Sequence, residues 1–229
     1  MAKFWIRRVV APLLFVVAAS AISISLLLPK RSAPQVVEEE LLLNENYNFI
    51  SAYDDIFKEV GAAWGIDWVL LAAIARSESE FKSDAISSSG AVGLMQIMPR
   101  VAANMGVEYE ELFDAKRNVE VAAELLNTID RMFRFDKTFD AKERLCFTLA
   151  AYNAGYSRIA DARRLARYFE DDDSSWEVVA SYLEMLCEEE YFELEVVKGG
   201  SFYGSDETIS YVKKVMRIYN RYQHFYICP

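Results

Sequence analysis

The length and charge of the chain limit what it can be. With 229 residues it can build one domain with its own core but not two large ones. Hydrophobic residues make up 53% of it, which excludes a disordered chain. The formal net charge of −10 argues against nucleic acid as a partner, because phosphates bind to a basic surface. The lone histidine, His224, cannot form a histidine-rich metal site, and no cofactor is indicated.

The N-terminal segment predicts a membrane anchor. It begins with three positive charges: Lys3, Arg7 and Arg8. Residues 9–28 then carry no charge, and about 20 apolar residues are what a helix needs to span a bilayer. We therefore expect a signal-anchor over 1–29, a linker over 30–46, and a domain over 47–229 in the periplasm. A cleaved signal peptide is the alternative, because the small residues at 19–21 resemble a cleavage site.

Apolar residues recur at helical spacing through most of the domain. The pattern predicts helices over 53–64, 68–79, 117–134, 141–154, 175–190 and 207–225. Gly65 is expected to end the first helix and Asp67 to cap the second. The serine- and glycine-containing segment 82–93 predicts a loop, and 193–197 a short strand. The fold class that follows is mainly α.

Three cysteines follow the anchor: Cys146, Cys187 and Cys228. Beyond a membrane, disulfides can form, but an odd number leaves at least one thiol unpaired. One disulfide and buried thiols on helix faces both remain open.

Glu78 is a carboxyl on a predicted apolar helix face. It shares that face with Leu71, Ile74 and Ala75, and Phe81 follows shortly after. Burial would raise its pKa, as a general acid at neutral pH requires. The alternative is a solvated carboxylate at a fraying helix end.

Four ordered motifs surround this position. Residues 77–99 read SESEFKSDAISSSGAVGLMQIMP, residues 149–155 read LAAYNAG, and residues 207–212 read ETISYV. They resemble the lytic transglycosylase family, whose hallmark runs are E-S-x-F, S-x-x-G-A-x-G-L-M-Q-x-M-P, A-Y-N-A-G and E-T-x-x-Y-V. The likeness spans roughly 50–225 and is closest to the catalytic domain of the membrane-bound F group.

The resemblance implies a lysozyme-like α fold with a long sugar-binding cleft. It places the acid/base at Glu78 and matches Ser87 to the serine that contacts the acetamido group of the substrate. The other residues that it assigns to the substrate are Gln96, Met98, Tyr152, Asn153 and Tyr211.

A second catalytic carboxylate is not visible near Glu78. Most glycosidases need two, but Glu80 points to another helix face and Asp84 lies in a polar loop. An N-acetylated substrate can supply its own nucleophile. We therefore expect a lyase that cleaves the β-1,4 bond from N-acetylmuramic acid to N-acetylglucosamine of peptidoglycan and leaves 1,6-anhydro ends. The alternatives are a hydrolytic, goose-type lysozyme-like muramidase and a non-catalytic peptidoglycan-binding module.

Some residues depart from the family pattern. Ser77 stands where glutamine is frequent, Glu80 where glycine is frequent, and 203–205 differ from the usual lead-in to the last motif. No catalytic group is lost by these changes. They are expected to alter the fine shape of the cleft, and Glu80 to add charge near Glu78.

Overall fold

The computed structural model describes residues 49–134 and 140–227, and these are helical almost throughout. The α-helices are α1 (Asp54–Trp64), α2 (Trp68–Ser79), α3 (Pro99–Asn104), α4 (Ala115–Arg134), α5 (Ala141–Ala154), α6 (Tyr156–Tyr168), α7 (Trp176–Met185), α8 (Glu189–Phe192) and α9 (Ser205–Ile227). A 3₁₀ helix, Tyr109–Phe113, precedes α4. In this part of the chain there are isolated β-bridges but no strands. The mainly α fold class is thereby confirmed.

The predicted anchor over 1–29 and the linker over 30–46 lie outside the described residues. Among the helices that are described, none is both long and apolar enough to cross a membrane.

The turn between α1 and α2 follows the local signals in the sequence. Gly65 ends α1 in the left-handed conformation with φ 66°, and the Asp67 carboxylate accepts a hydrogen bond of 2.9 Å from the Val69 amide. Both predictions are confirmed. Close packing of the two helices needs Gly61, where a Cβ would lie 2.6 Å from the Ile66 carbonyl oxygen.

Helix α2 runs through the core. Every side chain from Leu71 to Ala75 is fully buried, and α2 packs against α1 and α9. Helix α5 lies next to α4, α6 and α9, with its Phe147 ring 5.6 Å from the rings of Phe133 and Trp176. Helix α9 therefore packs against both α2 and α5.

The predicted strand over 193–197 is wrong. This segment forms turns with local backbone hydrogen bonds, such as that from the Val197 amide to the Leu194 carbonyl at 2.9 Å, and it is tied to side chains of α6. Arg164 donates to the Val196 carbonyl at 2.8 Å, and the buried Asp161 accepts from the Lys198 amide at 2.7 Å. Because local turns and α6 side chains bond these backbone groups, the segment needs no neighbouring strand.

The structure corrects the predicted helices at two places. The predicted helix over 175–190 is two helices, because α7 ends at Met185 and α8 begins at Glu189. Helix α6 was not predicted.

Two of the three cysteines can be placed. Cys146 is a buried free thiol and Cys187 an exposed one, while Cys228 lies outside the described residues.

Candidate active site

Glu78 lies in the last turn of α2. Leu71, Ile74 and Ala75, on its own helix face, are fully buried, and Glu78 itself is half-buried. The predicted apolar setting is confirmed. The helix ends two residues later, where Glu80 and the following residue are both left-handed, with φ of 54° and 65°.

Burial sets the acidity of Glu78. It raises the pKa of the carboxyl from its ordinary 4.5 to about 7. The Tyr211 hydroxyl and the Lys214 ammonium, both on α9, act in the opposite direction, and the charge of Glu207 raises the pKa further. A carboxyl with this pKa can give and take a proton near neutral pH.

Two tyrosines flank the carboxyl. The Tyr152 hydroxyl donates to the Met95 carbonyl at 2.8 Å. The Tyr211 hydroxyl is buried, and within residues 49–134 and 140–227 no acceptor or donor meets it at good hydrogen-bond geometry. Burial and the nearby Glu78 raise the pKa of both phenols well above 10, so both keep their protons.

The loop after α2 is tied by the side chains that the motifs single out. The Ser87 hydroxyl oxygen accepts from the Ala91 amide at 3.0 Å. Gln96 is left-handed with φ 49°, and its side-chain amide donates to the carbonyls of Gly93 at 2.9 Å and Ala85 at 3.2 Å. The hydroxyl hydrogen of Ser87 and the side-chain oxygen of Gln96 make no bonds within the described structure, which leaves them for a ligand.

Asn118 is the residue of this region that the sequence interpretation missed. It is fully buried in α4, accepts from the Met95 amide at 2.8 Å, and donates to the carbonyls of Val92 and Leu112 at 2.9 Å each. Its amide lies so close that a Cβ on Gly93 would be 2.4 Å from Nδ2. Only glycine fits there, and Asn118 thereby fixes the loop that carries Gln96.

The other predicted substrate residues lie at the edges of this arrangement. Asn153 is exposed at the end of α5 and accepts a hydrogen bond of 2.8 Å from the Thr208 hydroxyl of α9. Met98 precedes α3 and is 41% exposed. The Tyr211 hydroxyl acts on Glu78 and the Tyr152 hydroxyl bonds to the loop, whereas the Met98 carbonyl accepts from the Val101 and Ala102 amides of α3.

The acidic neighbours of Glu78 differ in role. Glu80 is exposed and pairs with Lys82 at 3.6 Å, and Asp84 is exposed in a turn. The negative charge that acts on Glu78 comes instead from Glu207, on α9. No group of three or more metal-binding side chains is assembled in the part of the chain that the structure describes.

Comparison with known proteins agrees with this geometry. The sequence model of the Transglycosylase SLT domain matches residues 55–182. Membrane-bound lytic murein transglycosylase F of Marinobacter nauticus is 31% identical over 173 residues, which cover 76% of this chain and 33% of that protein. The protein of the same name from Pasteurella multocida is 33% identical over 161 residues, covering 70% and 31%. The chain thus spans about a third of the length of these relatives.

Solved structures share the fold. The 70 kDa soluble lytic transglycosylase of Escherichia coli is 26% identical with a TM-score of 0.50, over 76% of this chain and 24% of that one. An inactive mutant of the lytic transglycosylase Slt from Pseudomonas aeruginosa has a TM-score of 0.54 at 23% identity, over 78% and 25%. Since the family model matches more than half of the chain, this protein belongs to the transglycosylase SLT domain family.

Proposed function

We propose that the chain is a peptidoglycan lytic transglycosylase. It cleaves the β-1,4 bond between N-acetylmuramic acid and N-acetylglucosamine and leaves 1,6-anhydro-N-acetylmuramic acid ends. The observation that carries the proposal is Glu78, a half-buried carboxyl with a pKa of about 7 beside two protonated tyrosines. The relatives named lytic murein transglycosylase F support the same reaction.

Glu78 acts twice in the proposed mechanism. Its carboxyl first protonates the bridging oxygen, while the acetamido oxygen of the muramic acid bonds to C1 and the leaving sugar departs. The resulting Glu78 carboxylate then takes the proton of the C6 hydroxyl. The C6 oxygen bonds to C1, displaces the acetamido oxygen and closes the anhydro ring. No water is consumed, and Glu78 ends in its starting protonation state.

The flanking residues have complementary roles in this proposal. Tyr211 donates to the Glu78 carboxylate that exists between the two steps, which agrees with its lowering of the pKa of that group. Ser87 and Gln96 offer a hydroxyl proton and an amide oxygen to the acetamido group and hydroxyls of the sugar. Met98, Tyr152 and Asn153 are the further residues that we assign to substrate binding.

A digestion of purified peptidoglycan tests the function. The full chain is kept in mild detergent, and the fragments are analysed by mass spectrometry beside Glu78→Gln and the matched exposed variant Glu80→Gln. From the wild type and Glu80→Gln we expect fragments that are lighter by one water than the same fragments with reducing ends. Glu78→Gln should give no fragments. Reducing ends would show a hydrolase, with Glu207 as the first candidate for its second carboxylate. Binding without cleavage would show a peptidoglycan-binding module.

We further propose a place in the cell. Residues 1–29 anchor the chain in the inner membrane, 30–46 form a linker, and 47–229 form the catalytic domain in the periplasm. The uncharged run 9–28 and the relatives named membrane-bound support this. The mass of the protein extracted from membranes should equal that of the full chain. A mass that lacks about the first 21 residues would show a cleaved signal peptide instead.

A further inference from the structure

Helix α9 presents a row of three polar side chains: Glu207, Tyr211 and Lys214. They are four and then three residues apart, so they lie along one face of the helix. Helix α9 packs on α2, and all three side chains act on the carboxyl of Glu78. The row therefore faces the last turn of α2.

Lys214 makes a direct contact with that turn. Its ammonium donates to the carbonyl oxygen of Ser77 at 2.8 Å. The last four carbonyls of a helix have no partner within it, and a lysine at this end also meets the negative pole of the helix dipole. Because α2 ends at Ser79, the Ser77 carbonyl is one of these groups. Lys214 is thus bonded to the residue that directly precedes Glu78 in the last turn of α2.

We propose that Lys214 is a positioning residue of this active site. It fastens the last turn of α2 to α9, so that the Glu78 carboxyl stays beside the Tyr211 hydroxyl, and its charge favours the carboxylate that must take the C6 proton. The inference rests on the proposed function. It extends that function to a residue outside the family motifs quoted above.

The charges around Glu78 are consistent with this role. The ionisable groups that act on it are Glu207, Tyr211 and Lys214 from α9, and Tyr152 faces it from α5. Both tyrosines stay protonated, so the charges that compete are those of Lys214 and Glu207. Lys214 lowers the pKa of Glu78 and Glu207 raises it.

Lys213 provides a matched control. It is the neighbouring residue on the same helix, is exposed, and carries the same charge, but it points about 100° away around the helix axis. The Lys213→Met and Lys214→Met variants therefore change the net charge equally. Lys214→Arg keeps both charge and donor, and Lys214→Gln keeps a donor without the charge.

The first experiment is the pH dependence of peptidoglycan cleavage by the full chain. As an acid, Glu78 loses activity when the pH rises through its pKa. Lys214→Met and Lys214→Gln should move this alkaline limb to higher pH by roughly half a unit to one unit, and Glu207→Gln should move it to lower pH. Lys214→Arg and Lys213→Met should keep the wild-type limb. If the alkaline limbs of Lys214→Met and Lys213→Met lay at the same pH, the proposal would be overturned.

The second experiment needs no substrate. The carboxyl carbons of ¹³C-glutamate-labelled protein are titrated by NMR, with the Glu78 signal identified by its loss in Glu78→Gln. Lys214→Met and Lys214→Gln should shift this titration to higher pH, as they shift the activity limb, and Lys214→Arg should leave it unchanged. An unchanged titration overturns the role of Lys214, even in an enzyme that cleaves normally. A shifted titration in a chain that yields no anhydro ends supports Lys214 and refutes the proposed function.

Discussion

At the scale of single residues, Glu78 costs the fold stability at neutral pH. Its pKa is about 7 in the folded chain against an ordinary 4.5. Below pH 4.5 the carboxyl is protonated in both states and contributes no difference. As the pH rises above 4.5, the unfolded chain ionises while the folded chain keeps the proton, so the free energy of unfolding decreases until the pH passes 7.

Glu78→Gln should therefore stabilise the protein while abolishing its activity. We expect a gain of about 2 kcal/mol at pH 8 and none at pH 4, with cleavage reduced at least about 100-fold. Urea unfolding at the two pH values measures the gain. Glu80→Gln, which changes an exposed carboxyl at the same helix end, should show no gain. Equal gains at both pH values for Glu78→Gln would contradict the buried acid.

Glu80 is a second residue whose conformation carries a prediction. It caps α2 in the left-handed region with φ 54°, where glycine is unstrained and other residues are not. Glu80→Gly should raise the free energy of unfolding by about 0.5–1 kcal/mol, while Glu80→Ala should not. Thermal unfolding of the pair measures this. A gain in the alanine variant as well would assign the effect to the lost charge.

At the scale of elements, the loop that carries Gln96 depends on one buried amide. Asn118 bonds three backbone groups of this region and leaves Gly93 no room for a side chain. Removing it leaves buried polar groups unsatisfied, which costs more than the bonds themselves contribute. The position of the loop therefore depends on its hydrogen bonds to Asn118 of α4.

Asn118→Ala should lower the free energy of unfolding by about 3 kcal/mol and reduce cleavage even where the protein is still folded. Denaturant unfolding and initial rates well below the midpoint of thermal unfolding measure the two effects. Asn104→Ala, at the exposed end of α3, is the control and should change neither. Normal cleavage by a folded Asn118→Ala chain would show that the loop is held by other contacts.

Turn and cap residues correctly predicted the helix ends that they form. Gly65 and Asp67 mark the ends of α1 and α2 correctly because a left-handed stop and an N-cap depend on nearby residues alone. Helix α6 was missed, although Ile159, Ala162 and Leu165 recur at helical spacing and are fully buried. Its many charged residues masked this stripe.

Contacts distant in sequence explain the other failures. The segment 193–197 has the composition of a strand, but it forms turns that Arg164 and Asp161 of α6 hold at Val196 and Lys198. Asn118 was detectable as a polar residue on the same face as Val121 and Ala122, but its three partners belong to other segments. Such partners follow from the fold and not from the local pattern.

At the scale of the whole molecule, the fold gathers residues from distant parts of the chain around Glu78. The motifs supplied Tyr152 and Tyr211 as candidates, and the structure places both beside the carboxyl. They gave no indication of Lys214, whose hydrogen bond to Ser77 spans 137 residues. Burial raises the pKa of Glu78, and three groups on α9, far from it in the sequence, adjust the value.

In the proposed mechanism Glu78 serves as both acid and base, and no water enters the reaction. Digestion of peptidoglycan in H₂¹⁸O, followed by mass spectrometry of the new muramic acid ends, tests it most directly. We expect anhydro ends without ¹⁸O. Reducing ends that carry one ¹⁸O atom would show that water attacks C1, and would contradict it.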